Sequence, residues 1–276
     1  MSIKKIAPVL KWAGGKRQSA DVLAQMFPKE ISAYFEPFVG GGAMLFKLQP
    51  ETAYINDINC ELMRVYEVTK NDAEALIEAL GYFRNEEEHY YSVRNWDKDS
   101  KNYSLLPDVI KAARTVYLNK TCYNGLFRVN GAGEFNTPFG NYRNPNIINA
   151  TGLRAVGAYL NTADVRISAL DFEEALRAAP DGAFVYLDPP YDPVSDTSGF
   201  TGYAIGGFTQ NDQIRLRGCC DELDKRGLKF LLSNSATDFI KELYSPYNIT
   251  VVRAKRPINS NASKRGEVDE VAVRNY

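Results

Sequence analysis

Four consecutive residues in the second half of the chain combine groups that could do chemistry. Asp188-Pro189-Pro190-Tyr191 supplies a carboxylate, two rigid turn residues and an aromatic ring. They follow the apolar run 183–187, which predicts a buried strand that the proline pair brings to an end. Because ligands of open parallel α/β sheets bind beyond the carboxyl ends of the strands, this position suits an active site. The alternative is that the tetrapeptide only terminates the strand.

A glycine-rich turn and an aspartate predict a nucleotide-binding edge on the same sheet. Residues 33–48 read as a strand, the turn Pro-Phe-Val-Gly-Gly-Gly and a helix. The spacing departs from the G-x-G-x-x-G pattern of dinucleotide sites, so no such site is predicted. Asp57 ends a second predicted strand (53–56) about 20 residues after the first, where an acidic residue can bind ribose hydroxyls. It could also cap the predicted helix 61–68, and the two roles are compatible.

A second glycine pair lies close to the amino terminus, in the segment Lys-Trp-Ala-Gly-Gly-Lys of residues 11–16. Its glycines allow a ligand to approach the backbone, while Trp12 offers a ring face and Lys16 a cation. A structural turn with an exposed tryptophan would explain the segment as well.

The composition excludes several classes of site. The 276 residues suffice for one large domain or for a core domain with an insertion. The four cysteines have neither zinc-site spacing nor the density of a disulfide framework, and the single histidine, His89, makes a histidine metal site or a Ser-His-Asp triad improbable. We expect His89 on the surface and no metal. No apolar segment resembles a membrane span or a signal peptide, which favours a soluble intracellular protein.

The charge distribution points to a polyanionic partner although the formal net charge is only -1. One basic cluster falls between residues 111 and 154, where Glu134 is the only acid, and a second falls between residues 253 and 265. Two basic patches on a neutral protein favour a polyanion bound on one face; scattered solvated charge is the alternative. The basic residues are Lys111, Arg114, Lys120, Arg128, Arg143 and Arg154, then Arg253, Lys255, Arg256, Lys264 and Arg265.

The segment 121–145 interrupts an otherwise regular α/β pattern and predicts a hairpin around the glycine turn 130–133. It carries Tyr123 and Phe127 beside Asn124 and Arg128, residue types that wedge between bases and read base edges, although polar hairpins in general contain them too. Elsewhere the pattern predicts helices over 19–26, 73–80, 108–119, 151–160, 209–226 and 236–244, strands over 165–168 and 228–233, an antiparallel pair over 250–253 and 270–273, and loops over 98–104 and 192–207. The last loop is long enough to be a lid.

Taken together, these stretches resemble the Dam-type DNA adenine-N6 methyltransferases and their relatives in restriction-modification systems. The resembling residues follow the family's order and are 11–16, 35–43 (FEPFVGGGA), 56–57, 123–126, 133–140 (GEFNTPFG), 188–191 and 260–276. The resemblance implies an α/β fold, namely a Rossmann-like class I methyltransferase sheet with an inserted helical and β-hairpin target-recognition domain. Residues 1–66 and 151–276 would form the methyltransferase domain, and residues 67–150 the target-recognition domain.

The resemblance also implies roles for individual residues. S-adenosylmethionine would lie over the glycine turn, and double-stranded DNA with a GATC site would be the substrate, bound by a monomer in the cytoplasm at the nucleoid. The implied cofactor-binding residues are Trp12, Lys16, Phe38, Gly40, Asp57, Asp171, Phe172 and Asp188. The implied DNA-binding residues are Lys11, Tyr123, Asn124, Arg128 and Arg143. The implied catalytic residues are Asp188, Pro189, Pro190 and Tyr191.

The chemistry of the tetrapeptide fits that reaction. The adenine N6 amine is a poor nucleophile until its hydrogens are engaged, and Asp188 together with the Pro189 carbonyl could accept both. Tyr191 would stack on a base that has left the duplex. Two alternatives stay open: the same fold acting on RNA or a protein amide, and a DNA-binding regulator whose catalytic core is inactive.

Overall fold

The strands of the protein form one mixed sheet. The computed structural model describes residues 6–12, 20–194, 207–255 and 267–276. Its strands are β1 (Tyr34–Glu36), β2 (Thr52–Asn56), β3 (Asp164–Ser168), β4 (Phe184–Leu187), β5 (Lys229–Ser235), β6 (Asn248–Lys255) and β7 (Glu267–Arg274). Their order is β3-β2-β1-β4-β5-β7-β6. Strands β1 to β5 run parallel, whereas β7 is antiparallel to β5 and β6. This arrangement confirms the predicted α/β class and the antiparallel pair.

Helices cover both faces of the sheet. In the described residues they are α1 (Ala20–Ala24), α2 (Ala43–Leu48), α3 (Cys60–Asn71), α4 (Ala73–Leu80), α5 (Glu87–Arg94), α6 (Ser100–Leu105), α7 (Asp108–Thr121), α8 (Ala150–Thr162), α9 (Phe172–Arg177), α10 (Gln210–Lys225) and α11 (Asp238–Leu243). Thr209 and Asp212 form the capping box that their spacing predicts at the start of α10. None of the helices within the described ranges is long and apolar enough to cross a membrane.

Successive side chains of each strand point to opposite faces of the sheet, so the hydrophobic core has two layers. Phe35, Val185 and Leu232 point to one face, where they pack with apolar residues of α9, α10 and α11. Tyr34, Tyr186 and Leu231 point to the other face and join a core built from α2, α3, α7 and α8. All four residues of β4 are buried. A continuous apolar run is typical of a central parallel strand, and it is why this strand could be predicted from sequence.

The strand order reverses at β1: β2 and β3 extend the sheet on one side of it, and β4 and β5 extend it on the other. β1 pairs with β2 on one side and with β4 on the other. The glycine-rich turn follows β1 directly, and Asp188 follows β4 directly. Such a switch point leaves a crevice between the loops at the carboxyl ends of the two strands. The fold therefore brings together the two stretches that the sequence singled out.

Helices α4 to α7 and the irregular segment 122–149 lie between β2 and β3 in the chain. α7 packs on α3 and α4. Asn130 N–H donates to Glu134 O and Val129 pairs with Phe135 in an isolated bridge, so the predicted reversal of the chain is confirmed but no regular strands form there. The first expected domain boundary, between residues 66 and 67, falls inside α3, which is continuous there. The second, between residues 150 and 151, falls at the start of α8, which begins at Ala150.

One local prediction was wrong: the expected loop 98–104 contains most of α6, because Asp99 Oδ1 accepts the N–H of Asn102 and caps the helix. The alternative role of Asp57 as the cap of α3 falls to Asn59, which accepts from Leu62 N. His89, expected on the surface, is partly exposed; its ring contacts those of Phe83 and Tyr117, and burial lowers its pKa. The expected lid, 192–207, lies mostly outside the described residues.

Candidate active site

The carboxylate of Asp188 lies at the carboxyl end of β4 and is oriented from the neighbouring strand. Ser233 Oγ on β5 lies 2.9 Å from Asp188 Oδ1 and donates to it. Tyr186 Oη lies 3.3 Å from the same Ser233 hydroxyl. Asp188 itself is partly exposed. The arrangement holds a solvent-accessible carboxylate in a defined direction beyond the sheet.

The two prolines after Asp188 differ in how their carbonyl oxygens are used. Gln213 Nε2, on α10, donates to the Pro190 oxygen at 2.9 Å. Within the described ranges no donor bonds the Pro189 oxygen. Among the described residues, the Pro190 oxygen thus has a hydrogen-bond donor and the Pro189 oxygen has none.

Tyr191 completes the tetrapeptide and is held by its hydroxyl. Tyr191 Oη donates to Glu270 Oε2 on β7 at 3.2 Å. Burial, reinforced by the negative charges of Asp188 and Glu270, raises the pKa of Tyr191 well above its usual value. The phenol therefore stays neutral, and its ring is anchored at the edge of the crevice by the antiparallel strand.

The turn after β1 needs glycine at two positions. Gly40 and Gly42 adopt φ values of 48° and 75°, which side-chain-bearing residues rarely adopt. A Cβ atom at Gly40 would lie 2.9 Å from Trp12 Cδ1, and one at Gly42 would lie 2.6 Å from the Tyr66 hydroxyl. That hydroxyl donates to the Gly40 oxygen at 2.9 Å. The turn is thus a backbone-lined cradle closed on one side by Trp12.

Asp57 is joined to this turn. Its Oδ2 accepts the Gly40 N–H at 3.1 Å, and its Oδ1 accepts the Asn59 N–H at 3.0 Å. Burial raises the pKa of Asp57 to about 6, although both hydrogen bonds act in the opposite direction. The carboxylate therefore stands at the carboxyl end of β2, next to the glycine turn, where it can meet a polar ligand.

An aromatic wall borders the crevice on the side of α9. The rings of Phe38 and Phe172 are 5.5 Å apart, and Phe208 contacts both at 6.0 and 5.7 Å. Asp171 caps α9 and accepts from Arg215 Nη2 at 2.8 Å, while the Arg215 guanidinium lies 4.7 Å from the centre of the Phe172 ring. The three rings thus pack against one another, and the Asp171 carboxylate beside them is paired with Arg215.

The predicted cofactor residue Trp12 also contacts the predicted recognition hairpin. Its ring stacks on Phe127 at 5.1 Å. Asn119, at the end of α7, brackets Lys11: its Oδ1 accepts from Lys11 N at 2.9 Å and its Nδ2 donates to Lys11 O at 2.8 Å. Lys16 lies outside the described residues. The amino-terminal segment thus links the glycine turn to the hairpin.

The residues expected to meet DNA are Lys11 and four residues of the segment 121–145. Tyr123 is 57% exposed, and the neighbouring Asn124 has a left-handed backbone with φ 57°. Arg128 Nε donates to Asn136 Oδ1 at 2.6 Å across the hairpin. Arg143 and Lys11 are exposed, and Lys11 Nζ lies 5.4 Å from the centre of the Tyr142 ring. Lys11 packs closely against Gly125, which places it beside Tyr123 and Asn124.

The first basic cluster is smaller than its sequence indicates. Lys111 and Arg114 are buried, and Arg114 pairs with Asp97 at 2.8 Å. Lys120 Nζ donates to the Val9 carbonyl, and Arg154 forms two hydrogen bonds with Glu74. Lys111, Arg114 and Lys120 are thus used within the protein and the exposed Arg154 is paired with Glu74, which narrows the expected patch to Arg128 and Arg143. For the second cluster, the structure describes no side chain from residue 253 to residue 265.

Several residues of the site were not predicted. Ser233, Gln213, Glu36, Phe208 and Arg215 lie inside or beside elements whose pattern indicated only core or surface. Glu36 is 2% exposed beneath the site, accepts from the Tyr34 hydroxyl at 2.9 Å, and has its pKa raised well above the usual value by burial. Phe208 could have been found as an aromatic directly before a capping box. The described side chains form no cluster suited to a metal ion.

Comparison with known proteins identifies the family that this fold and site define. Residues 12–258 match the family model of the D12 class N6 adenine-specific DNA methyltransferases, and the chain belongs to that family. It is 41% identical to the type II methyltransferase M1.LlaDCHI of Lactococcus lactis subsp. cremoris, over 98% of this chain and 96% of that protein. It is 44% identical to the type II methyltransferase M.MjaIII of Methanocaldococcus jannaschii, over 99% of this chain and 100% of that protein. It is also 32% identical to the DNA adenine methylase of Escherichia coli K12, over 98% of this chain and 95% of that protein.

Proposed function

We propose that the protein transfers the methyl group of S-adenosylmethionine to N6 of an adenine that has been flipped out of duplex DNA, within a GATC-like site. The observation that carries the proposal is the pair of acceptors at the end of β4. Asp188 is oriented by Ser233, and the neighbouring Pro189 carbonyl is left available while the Pro190 carbonyl is bound by Gln213. They stand at the switch point, opposite the glycine turn.

This pair of acceptors suits the adenine amine. Its nitrogen lone pair is delocalised into the ring, so the amine attacks only when both hydrogens are held out of the ring plane. Asp188 and the Pro189 oxygen each accept one hydrogen, and the lone pair is then directed at the methyl donor. Asp188 also stabilises the positive charge that develops on N6 before a proton is released. Positioning and electrostatics therefore supply most of the rate.

The residues around the glycine turn fit S-adenosylmethionine, which supplies an activated sulfonium methyl when bound. A Cβ atom at Gly40 would meet the Trp12 ring and one at Gly42 the Tyr66 hydroxyl, so the glycines let the turn pack closely against these two side chains and keep its shape. In the proposal Asp57 binds the ribose hydroxyls, and Phe38 and Phe172 hold the adenine ring with Asp171 at its amine. Trp12 and Lys16 close the methionine side.

The recognition of DNA is assigned to the exposed residues of the hairpin. Tyr123 wedges into the base stack, Asn124 and Arg128 read base edges, and Lys11 and Arg143 contact the phosphate backbone. Tyr191 stacks on the extruded adenine. We assign residues 67–150 to target recognition and residues 1–66 with 151–276 to methyl transfer. A monomer acting on nucleoid DNA in the cytoplasm, at GATC, completes the proposal.

Methyl transfer measured directly tests this function. The purified protein is expected to move labelled methyl from S-adenosylmethionine onto adenine of duplex DNA, and not onto RNA or protein extract. Asp188→Ala should lower kcat by at least about 10²-fold, because it removes the charged acceptor, with unchanged thermal unfolding. Sequencing of DNA from cells with and without the protein should reveal the methylated site. Absence of transfer to any adenine-containing duplex would contradict the proposal.

A further inference from the structure

The turn that carries the catalytic tetrapeptide rests on a chain of buried polar side chains. Gln213 is 1% exposed, Asn234 is 0% exposed and Asp192 is 5% exposed. They come from α10, from β5 and from the loop after Tyr191. Burial of three polar groups at one place carries a desolvation cost unless every group is bonded, and an apolar cluster could fill the same space.

In this series of hydrogen bonds, each side chain is oriented by the group to which it is bonded. Asn234 Oδ1 accepts the N–H groups of Asp192 and Ser235 at 3.0 and 2.8 Å, which leaves its Nδ2 as the donor to Gln213 Oε1 at 3.0 Å. Because the Gln213 oxygen is thus occupied as an acceptor, its Nε2 faces the Pro190 oxygen at 2.9 Å. The amide of Gln213 is therefore held in the orientation that donates to the catalytic turn.

A bond to the Pro190 oxygen also restrains the carbonyl before it. The ring of Pro190 locks its φ angle, which leaves ψ of Pro190 as the one soft rotation between the peptide groups on either side of its Cα. The bond from Gln213 to the Pro190 oxygen restrains that rotation, and with it the direction of the Pro189 oxygen. Thr237 Oγ1 holds Asp192, two residues after Pro190, by a 2.7 Å bond to its Oδ2.

We infer that Gln213 is a positioning residue for methyl transfer: by binding the Pro190 carbonyl from the rear, it directs the Pro189 carbonyl toward the adenine amine. Asn234 acts with it by setting the Gln213 amide. This inference rests on the proposed function and deepens it, because it explains how a neutral backbone acceptor keeps its direction when a flipped base arrives. Gln213 touches neither DNA nor cofactor in this scheme.

Two substitutions separate the bond to Pro190 from packing. Gln213→Glu keeps the size of the side chain and an acceptor for Asn234, and once ionised it cannot donate to the Pro190 oxygen. Because burial raises the pKa of a carboxyl, the kcat of this variant is measured up to about pH 9, where the carboxylate form is favoured. Gln213→Met keeps the volume and removes all hydrogen bonding. Gln210→Glu is the matched control, since it makes the same chemical change on an exposed residue of the same helix. An experiment with duplex DNA and S-adenosylmethionine compares all three with the unaltered protein.

Both Gln213 variants are expected to lose about 10- to 100-fold in kcat, because displacement of a reacting group by about 1 Å costs on the order of 10²-fold. KM for DNA and the affinity for S-adenosylmethionine should be unchanged, and Gln210→Glu should behave as the unaltered protein. With 2-aminopurine at the target position, the fluorescence rise on base extrusion should be retained. Asn234→Asp, which keeps the acceptor and removes the donor to Gln213, should reproduce the loss in kcat.

The outcomes that overturn the inference are distinct from failure of the proposed function. If the unaltered protein transfers methyl groups and both Gln213 variants keep normal kcat, the inference is wrong and the proposed function stands. If the variants instead lose thermal stability and cofactor affinity in parallel with activity, Gln213 has only a structural role. If the unaltered protein methylates no adenine, the proposed function and the inference fall together.

Discussion

At the scale of single residues, burial of Asp57 sets the pH range in which its carboxylate is ionised. Its carboxylate accepts two backbone N–H groups, yet burial outweighs them and raises its pKa to about 6. A carboxylate accepts hydrogen bonds from both ribose hydroxyls, whereas the protonated acid must use one oxygen as a donor. The ionised form is therefore the one that binds the cofactor in the proposed function.

The affinity for S-adenosylmethionine should consequently fall as the pH is lowered through about 6. Below that value Kd should rise by up to about tenfold per pH unit, because binding then requires release of a proton, and above pH 7 it should be constant. Calorimetric titration between pH 5 and 8 measures this. Asp57→Asn should bind more weakly throughout and lack the inflection. An inflection that persists in the variant would assign the titration to another group.

At the scale of elements, the hairpin that we assign to target recognition already holds its arginine in place in the protein alone. Arg128 and Asn136 face each other across the turn, and three hydrogen bonds link them: Arg128 Nε to Asn136 Oδ1, Arg128 Nη2 to Asn136 O at 3.4 Å, and Asn136 N to Arg128 O. Asp97 anchors the same hairpin by accepting from Phe135 N at 2.8 Å. The bond from Nη2 is long and therefore weak, so Arg128 can give it up and present both terminal nitrogens to a guanine while Nε stays bonded to Asn136.

Arg128→Ala should therefore relax the choice of base more than it weakens binding. The expected loss is about 1–3 kcal/mol of discrimination at one position of the site, with a small uniform loss on non-specific DNA. Competition binding on a set of duplexes with single substitutions in the preferred site measures both quantities. Equal losses on every duplex would place Arg128 on the phosphate backbone instead.

Elements and site residues differed in how readily they could be predicted. β4 and α10 were found because an apolar run and a capping box are local signals. Asp188 and Asp57 were found because each directly follows a strand. Ser233 and Gln213 were missed, since each acts through a contact with the catalytic turn from an element distant in sequence. The helix α6 was missed for a different reason: its sequence is polar, and such a composition is typical of loops.

At the scale of the whole molecule, a net charge of -1 and internal use of several cations limit how strongly the protein can bind DNA by charge alone. Lys111, Arg114, Lys120 and Arg154 all make contacts within the protein. These contacts form only in the folded protein, which is why the same residues looked like a basic patch in the sequence. In the proposed function, affinity for DNA therefore comes from fewer cations, among them Arg128 and Arg143.

The salt dependence of DNA binding should distinguish the two kinds of cation. For the unaltered protein, log K should fall linearly with log salt concentration, by about 0.9 for each phosphate contact. Arg143→Gln should make that slope shallower by about one, because Arg143 is exposed beside the hairpin. Arg154→Gln removes the same charge from a residue bound to Glu74, so its slope should match that of the unaltered protein. Equal changes in both variants would mean that net charge, and not the hairpin surface, governs binding.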